Sequence, residues 1–276
     1  MPAWFSAQAA VVAIAFGLLL WRETRRPLRD RVERRLVHTA RNVGVGILSA
    51  VAVNLVETPV VLPFAAFVEG RGIGLLRVVT LPGWLDVLLA CVLMDYTLYV
   101  WHVLAHKSPL LWRFHLVHHA DLDLDASTAV RFHFGELLIS IPWRIGQIAL
   151  IGTTPHALVV WQTATLVSIL FHHSNAELPL PLERALSWVI VTPRMHGIHH
   201  SVVESEVNSN WSSGLALWDR VHGTFRLDVP QHEIVIGVPE YRAPWQVSLA
   251  RILALPFATR SLHRGDHAQR HAGKDA

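Results

Sequence analysis

The sequence is short of most residues on which soluble enzymes and disulfide-built domains depend. It holds one cysteine, Cys91, in 276 residues, so an internal disulfide, an iron–sulfur cluster and a CxxC zinc site are excluded within the chain. Lys107 and Lys274 are the only lysines, which leaves arginine to carry nearly all the basic charge. Charged residues make up 16% against 52% hydrophobic, and the mean hydropathy of +0.35 is too apolar for an ordinary soluble domain. Catalytic signatures are also missing. There is no GxSxG and no Walker loop, and "HEIVI" at 232–236 lacks the second histidine of HExxH. "GRGIG" at 70–74 has no strand before it and reads as a turn. "NWS" at 210–212 matches a glycosylation sequon by coincidence.

What the chain does have is long apolar runs. Trp4 to Trp21 carries no charge, has tryptophan at both ends and is followed by "RETRRPLRDRVERR". Because basic residues follow the run rather than precede it, it reads as a retained span and not as a secretory signal. Residues 22–41 hold eight arginines. The positive-inside rule puts them in the cytoplasm, and a membrane surface explains a pI near 9.5 better than nucleic acid does. Val43–Val68 contains Glu57, Pro59 and Pro63, and is either one kinked span or a span plus an interfacial piece. Trp84–Trp101 returns the chain to the cytoplasm. Leu137–Ile151 and Ala157–Phe171 are two arms of about 22 Å, short of the ~30 Å hydrocarbon core, so a hairpin that dips in and returns is expected. The predicted fold class is an all-α, integral membrane helical bundle with a histidine-rich cytoplasmic helical cap. Its expected parts are 1–80 (N-terminal transmembrane helices and basic loop), 81–228 (the histidine-bearing domain) and 229–276 (a cytoplasmic extension ending in a mobile polar tail, "SLHRGDHAQRHAGKDA").

This topology gathers every histidine cluster on one side of the membrane. "HVLAH" offers His102 and His106, and "HLVHH" offers His115, His118 and His119. "FHHSN" holds His173, and "HGIHH" holds His196, His199 and His200; His133 in "VRFHFGE" is an isolated further candidate. With 18 histidines, chance predicts about 0.07 HxxHH matches in the chain, and two occur. Positions i, i+3 and i+4 share a helix face, so each copy can aim three imidazoles at one point. Eight to ten imidazoles suit two metals side by side, with iron, zinc, copper and nickel all open. Asp95, Asp121, Glu136 and Asp219 are candidates for fixing ring tautomers. His172 and His222 are left open. His38, His156, His232, His263, His267 and His271 read as interfacial or core residues.

These blocks, "HVLAHKSPLLWRFHLVHHAD", "TAVRFHFGE", "FHHSN", "TPRMHGIHHS" and "NSNWSSGLALWDRVHGTFR", in this order, resemble the fatty acid hydroxylase/sterol desaturase superfamily of membrane di-iron oxygenases. The resemblance runs from about Leu88 to Arg226. It implies that His102, His106, His115, His118, His119, His133, His173, His196, His199 and His200 hold two iron ions, that O2 is the co-substrate, and that a lipid (sterol, fatty acyl or related) is hydroxylated or desaturated. The sequence departs from the family pattern at Phe134, at Asn210-Trp211-Ser212 and at His222, all near the expected substrate cleft. Electrons must come from a separate cytochrome, ferredoxin or reductase, which the arginine-rich face could dock. A bacterial inner membrane is the expected location. A zinc-dependent membrane hydrolase and a non-catalytic metal-binding or transport protein are the alternatives.

Overall fold

The structure, a computed structural model, describes residues 3–258. The first helix, α1 (Ala3–Arg25), is followed by α2 (Arg35–Ala52), a π-helical turn (Val53–Glu57) and α3 (Thr58–Gly70). Next come α4 (Gly83–Lys107), α5 (Pro109–His119), α6 (Phe134–Ile151) and α7 (Pro155–His173). Short helices form the remainder, including α8 (Leu180–Leu186) and α9 (Pro193–His199). Among the described residues the only β-structure is three isolated bridges.

Four helical stretches are long and apolar enough to cross a membrane: Ala7–Arg25, Arg35–Arg77, Gly83–Lys107 and Phe134–Ile151. The chain is an integral membrane protein. Its apolar outer face (Ile14, Leu18, Leu55, Trp84 and Leu150 are all exposed) is the face that lipid would cover. Inside, Val61, Ala65, Met94, Ile148, Leu158 and Trp161 form the main core, and α4 packs on both α6 and α7. Cys91 is half-buried against this core, as expected of a small hydrophobe.

The second apolar stretch is one continuous helical path of 18, 5 and 13 residues. At about 54 Å it exceeds the hydrocarbon thickness and projects beyond it. Pro59 has no N–H for the carbonyl of Leu55, and the widened turn just before it absorbs the misfit. That turn also places Glu57 on the buried side.

The hairpin arms are longer than the apolar pattern implies. α6 has 18 residues and α7 has 19, about 27–28 Å each. Shortness therefore does not separate them from spans. They do form a hairpin: Gly152 caps α6 in the left-handed conformation (φ 82°) and Thr154 caps α7 through Ala157 N. At this end Gly74 (φ 105°) lies against the Gly152 backbone, closer than any side chain would allow.

The basic segment is held against the histidine-bearing part of the chain by named contacts. The Glu23 carboxylate, buried at the end of α1, accepts from Ala126 N (3.2 Å) and Asn175 N (3.1 Å) and pairs with Arg31 and Arg35. Asp123 accepts from Val32 N (2.7 Å) and Glu33 N (2.9 Å). His38 places both ring nitrogens on carboxylates, Asp121 at 3.0 Å and Asp125 at 3.1 Å, so both must carry protons. Arg41 and Arg131 complete the charge balance around Asp121. Arg29 is buried and bonds Gln231 (2.5 Å). Arginines that the sequence assigned to the membrane surface are thus used inside the protein. The described part of the C-terminal extension is likewise folded on: Val247 and Ile252 pack against Val45, Val117 and Leu122. The expected mobile tail lies outside the described residues, as do His263, His267 and His271.

Candidate metal centre

Helix ends deliver the histidines. The last two turns of α4 present His102 and His106, the C-terminal half of α5 presents His115, His118 and His119, and the end of α7 presents His173. α9 brings His196 and His199, with His200 at its C-cap. Nine of the ten expected residues converge, all buried.

They form two adjoining pockets rather than one point per motif. His102, His106, His115 and His119 make the first, and His118, His173, His196 and His200 make the second. The His199 ring lies 4.7 Å from the rings of His102 and His106. A further group, His119, His199 and His200, joins the two pockets. Each HxxHH box therefore splits. Its i and i+4 rings share a pocket, and the i+3 ring, about 60° away around the helix from i, enters the other. The second box repeats the first with the pockets exchanged.

The rings are set to present lone pairs. The Nδ1–H of His102 donates to Trp211 O (2.7 Å), that of His115 to Glu136 Oε1 (2.8 Å), that of His173 to Ile169 O (2.8 Å) and that of His199 to Ser209 O (2.8 Å). A neutral ring that donates from Nδ1 offers Nε2 as an acceptor. In the second pocket the Nε2 atoms of His118, His173, His196 and His200 follow one another at 3.0 Å spacings. Lone pairs that close repel unless a cation lies among them. Imidazole nitrogens at about 2.1 Å from a metal and at right angles to each other would be about 3.0 Å apart, which matches. His102 Nε2, His115 Nε2 and both nitrogens of His119 have no protein partner although buried. Burial, and then the neighbouring imidazoles, hold His118, His119, His196 and His200 well below the ordinary histidine range. They are neutral at pH 7 and ready to ligate. The donor set fits a pair of metal ions.

Four of the candidate side chains lie apart from the two pockets. His133 is not brought to the others. It caps α6 by accepting from Gly135 N, bonds Leu253 O at 3.3 Å and packs against Phe114 and Phe257. Of the four carboxylates, only Glu136 touches a ring of the centre. Asp121 serves the His38 network. Asp95 accepts from Leu215 N (2.9 Å) and Trp218 Nε1 (2.7 Å), and Asp219 accepts from Trp211 N (2.8 Å) and Ser212 N (3.1 Å). These two fix the loop that carries the Trp211 carbonyl. Backbone carbonyls do most of the ring-orienting expected of side chains, and no residue-type pattern could reveal them.

The sequence alone does not decide His172, and the structure sets its ring 4.1 Å from that of His196. His222, the other open case, stacks on Tyr99 at 4.9 Å, away from the pockets. Asn210 of the sequon is buried, its amide spent on Met195 O, Arg226 O and Arg226 N.

A cavity of about 420 Å³ opens from the histidines into the bundle between α2, α4, α6 and α7. His102, His115, His118, His173 and His196 line one end of it. Phe132 stacks on His118 at 4.2 Å and shields that end.

The family model described as fatty acid hydroxylase matches residues 87–224. The ornithine lipid hydroxylase OlsE of Rhizobium tropici is 38% identical over 143 residues, covering 51% of this chain and 41% of that protein. Alkylglycerol monooxygenase of Xenopus tropicalis is 30% identical over 144 residues, 52% of this chain and 30% of that one. Cholesterol 25-hydroxylase of Rattus norvegicus is 28% identical over 143 residues, 51% and 46% respectively. The chain thus spans less than half the length of these curated relatives. No solved structure matches.

Proposed function

The chain belongs to the fatty acid hydroxylase family, and from that premise we propose that it is a di-iron, O2-dependent membrane oxygenase that hydroxylates a C–H bond of a lipid. The observation that carries the reading is the pair of adjoining all-imidazole pockets at the inner end of an apolar cavity within the bundle. The chemistry of the relatives, lipid hydroxylation and monooxygenation by their names, points the same way.

The proposed ligands are His102, His106, His115, His119 and His199 on one side, and His118, His173, His196 and His200 on the other. Iron held there would supply the O2 activation that breaking an unactivated C–H bond requires. The protein's own part is positional. Glu136 and the carbonyls of Trp211, Ile169 and Ser209 hold the Nδ1 protons and keep the Nε2 lone pairs turned inward. Phe132 and the helix ends exclude water from the reacting carbon. The cavity lets an apolar chain reach the centre from within the bundle. Hydroxylation consumes one O2, two electrons and two protons for each alcohol and water formed, so a separate electron-donor protein is required. A chain with one cysteine cannot hold the iron–sulfur centre that would replace it. The histidine end is assigned to the cytoplasmic side, since exposed Arg25, Arg26 and Arg34 lie there.

A transporter would carry its ligands within spans at mid-depth, whereas these rings gather at helix ends. The test is metal analysis of the purified protein, paired with 18O2 labelling of membrane lipids in cells that express it. Iron near two per chain and 18O in a lipid hydroxyl are expected. Zinc in its place, with no 18O from O2 in any lipid hydroxyl, would favour the hydrolase instead.

A further inference from the structure

The cavity has a second, polar end. Along α6 its wall runs Glu136, Ser140, Trp143, Arg144 and Gln147, one helix face leading away from the histidines. Eight residues separate Glu136 from Arg144, so the polar end lies about 12 Å deeper along the helix axis.

Hydrogen-bonding capacity is left over there. Arg144 Nε and Nη1 are buried with no hydrogen-bond partner. The nearest carboxylate, Glu57 Oε1, is 4.0 Å from Nε, and the guanidinium lies 4.4 Å from the Trp161 ring centre. Gln147, 4% exposed, donates to Thr97 Oγ1 at 2.5 Å and is left with an unpartnered Oε1. The indole N–H groups of Trp143 and Trp161, which line the same cavity, are also buried without acceptors. An ionisable side chain within a span and buried donors without acceptors are both costly, and a ligand would complete them.

We propose that this end binds the hydroxyl group of a lipid alcohol and so holds the alcohol's apolar body against the histidine pockets. The unmet set is several donors and one acceptor. A hydroxyl, with two lone pairs and one proton, answers both. A carboxylate or phosphate could accept from Arg144 but would set negative charge against Gln147 Oε1 and Glu57. An ammonium would face Arg144 itself. An ester carbonyl would leave Gln147 unmet. The volume, about 420 Å³, is within the range that holds a small apolar ligand. This assignment rests on the lipid oxygenase reading for its purpose, but binding alone can test it, without turnover.

The experiment is native mass spectrometry of the full chain in detergent micelles, titrated with hexadecan-1-ol, hexadecane and hexadecanoate. The wild type should retain the alcohol at least about tenfold better than either of the others. Arg144→Leu should reduce the alcohol to the level of the alkane while metal content stays unchanged. Gln147→Leu, which leaves the Glu57–Arg144 pair intact, should lose part of the same preference. Should Arg144→Leu fail to fold, Arg144→Leu with Glu57→Leu removes both charges and must show the same loss. Equal retention of alcohol and alkane by the wild type, or tighter retention of hexadecanoate, overturns the proposal. So does an alcohol preference that survives in the Arg144 variants. Loss of 18O incorporation with alcohol binding intact would count against the oxygenase reading alone.

Discussion

The division of each HxxHH box between two pockets makes an unusual demand on double variants. His115 and His118 are neighbours in one motif but belong to different pockets; His102 and His115 come from different motifs but share one. A structural zinc site with four ligands binds with about 10–16 kcal/mol, so one ligand of four is worth about 3 kcal/mol, on the order of 10²–10³ in affinity. A single alanine should thus strip its own pocket during purification and leave the other loaded. His102→Ala with His115→Ala should retain about one ion per chain, and so should His118→Ala with His196→Ala. His115→Ala with His118→Ala should retain none. Inductively coupled plasma mass spectrometry on detergent-purified protein gives the counts, and circular dichroism confirms that the helices persist. If the same-motif double variant kept one ion while the cross-motif pairs lost both, each box would serve a single metal, and the geometry argued above would be refuted.

Glu136→Leu removes the acceptor of the His115 Nδ1 proton, 2.8 Å away, and should weaken metal retention about 10–100-fold in a chelator titration; Glu136→Gln, which keeps an acceptor, should recover most of it. Gly197, inside the second box, has no room for a methyl group, since a Cβ would strike the Arg29 guanidinium and meet Gln231 Oε1 at 2.9 Å. Gly197→Ala should cost about 1–3 kcal/mol in thermal unfolding, and an unchanged melting temperature would contradict the packing. The four histidines held well below the ordinary range give the metal-free protein a pH dependence. Below about pH 6.5 the unfolded chain takes up protons that the folded chain refuses, so stability is full above that pH and falls as the solution is acidified. Differential scanning fluorimetry of metal-free protein between about pH 7.5 and pH 5.5, about one unit either side of the ordinary histidine value, should show a falling midpoint; a flat profile would argue that the rings are solvated.

Much of this protein is determined by its sequence alone. Apolar runs set the helices, because a chain in lipid must satisfy its backbone internally. The recurrence of HxxHH, HxxxH and "FHHSN" determined nine of the histidines that meet, because ligand type and helical spacing are local properties. The tertiary structure alone decided the rest. A motif can tell which rings share a helix face, but the positions of α4, α7 and α9 around α5 decide that each box feeds two pockets. His133 had the right residue type near the right blocks, yet it is spent as a helix cap. Asp121 lies two residues after the first box, yet it is held by His38 and Arg41 from the N-terminal segment. The carbonyls of Trp211, Ile169 and Ser209 carry no sequence signature, because every residue has one. Arg144 reads as one more basic residue until burial strips it of water and the walls of the cavity leave two of its N–H groups without acceptors. Charge, burial and orientation are properties of neighbours, and neighbours distant in sequence exist only once the chain has folded.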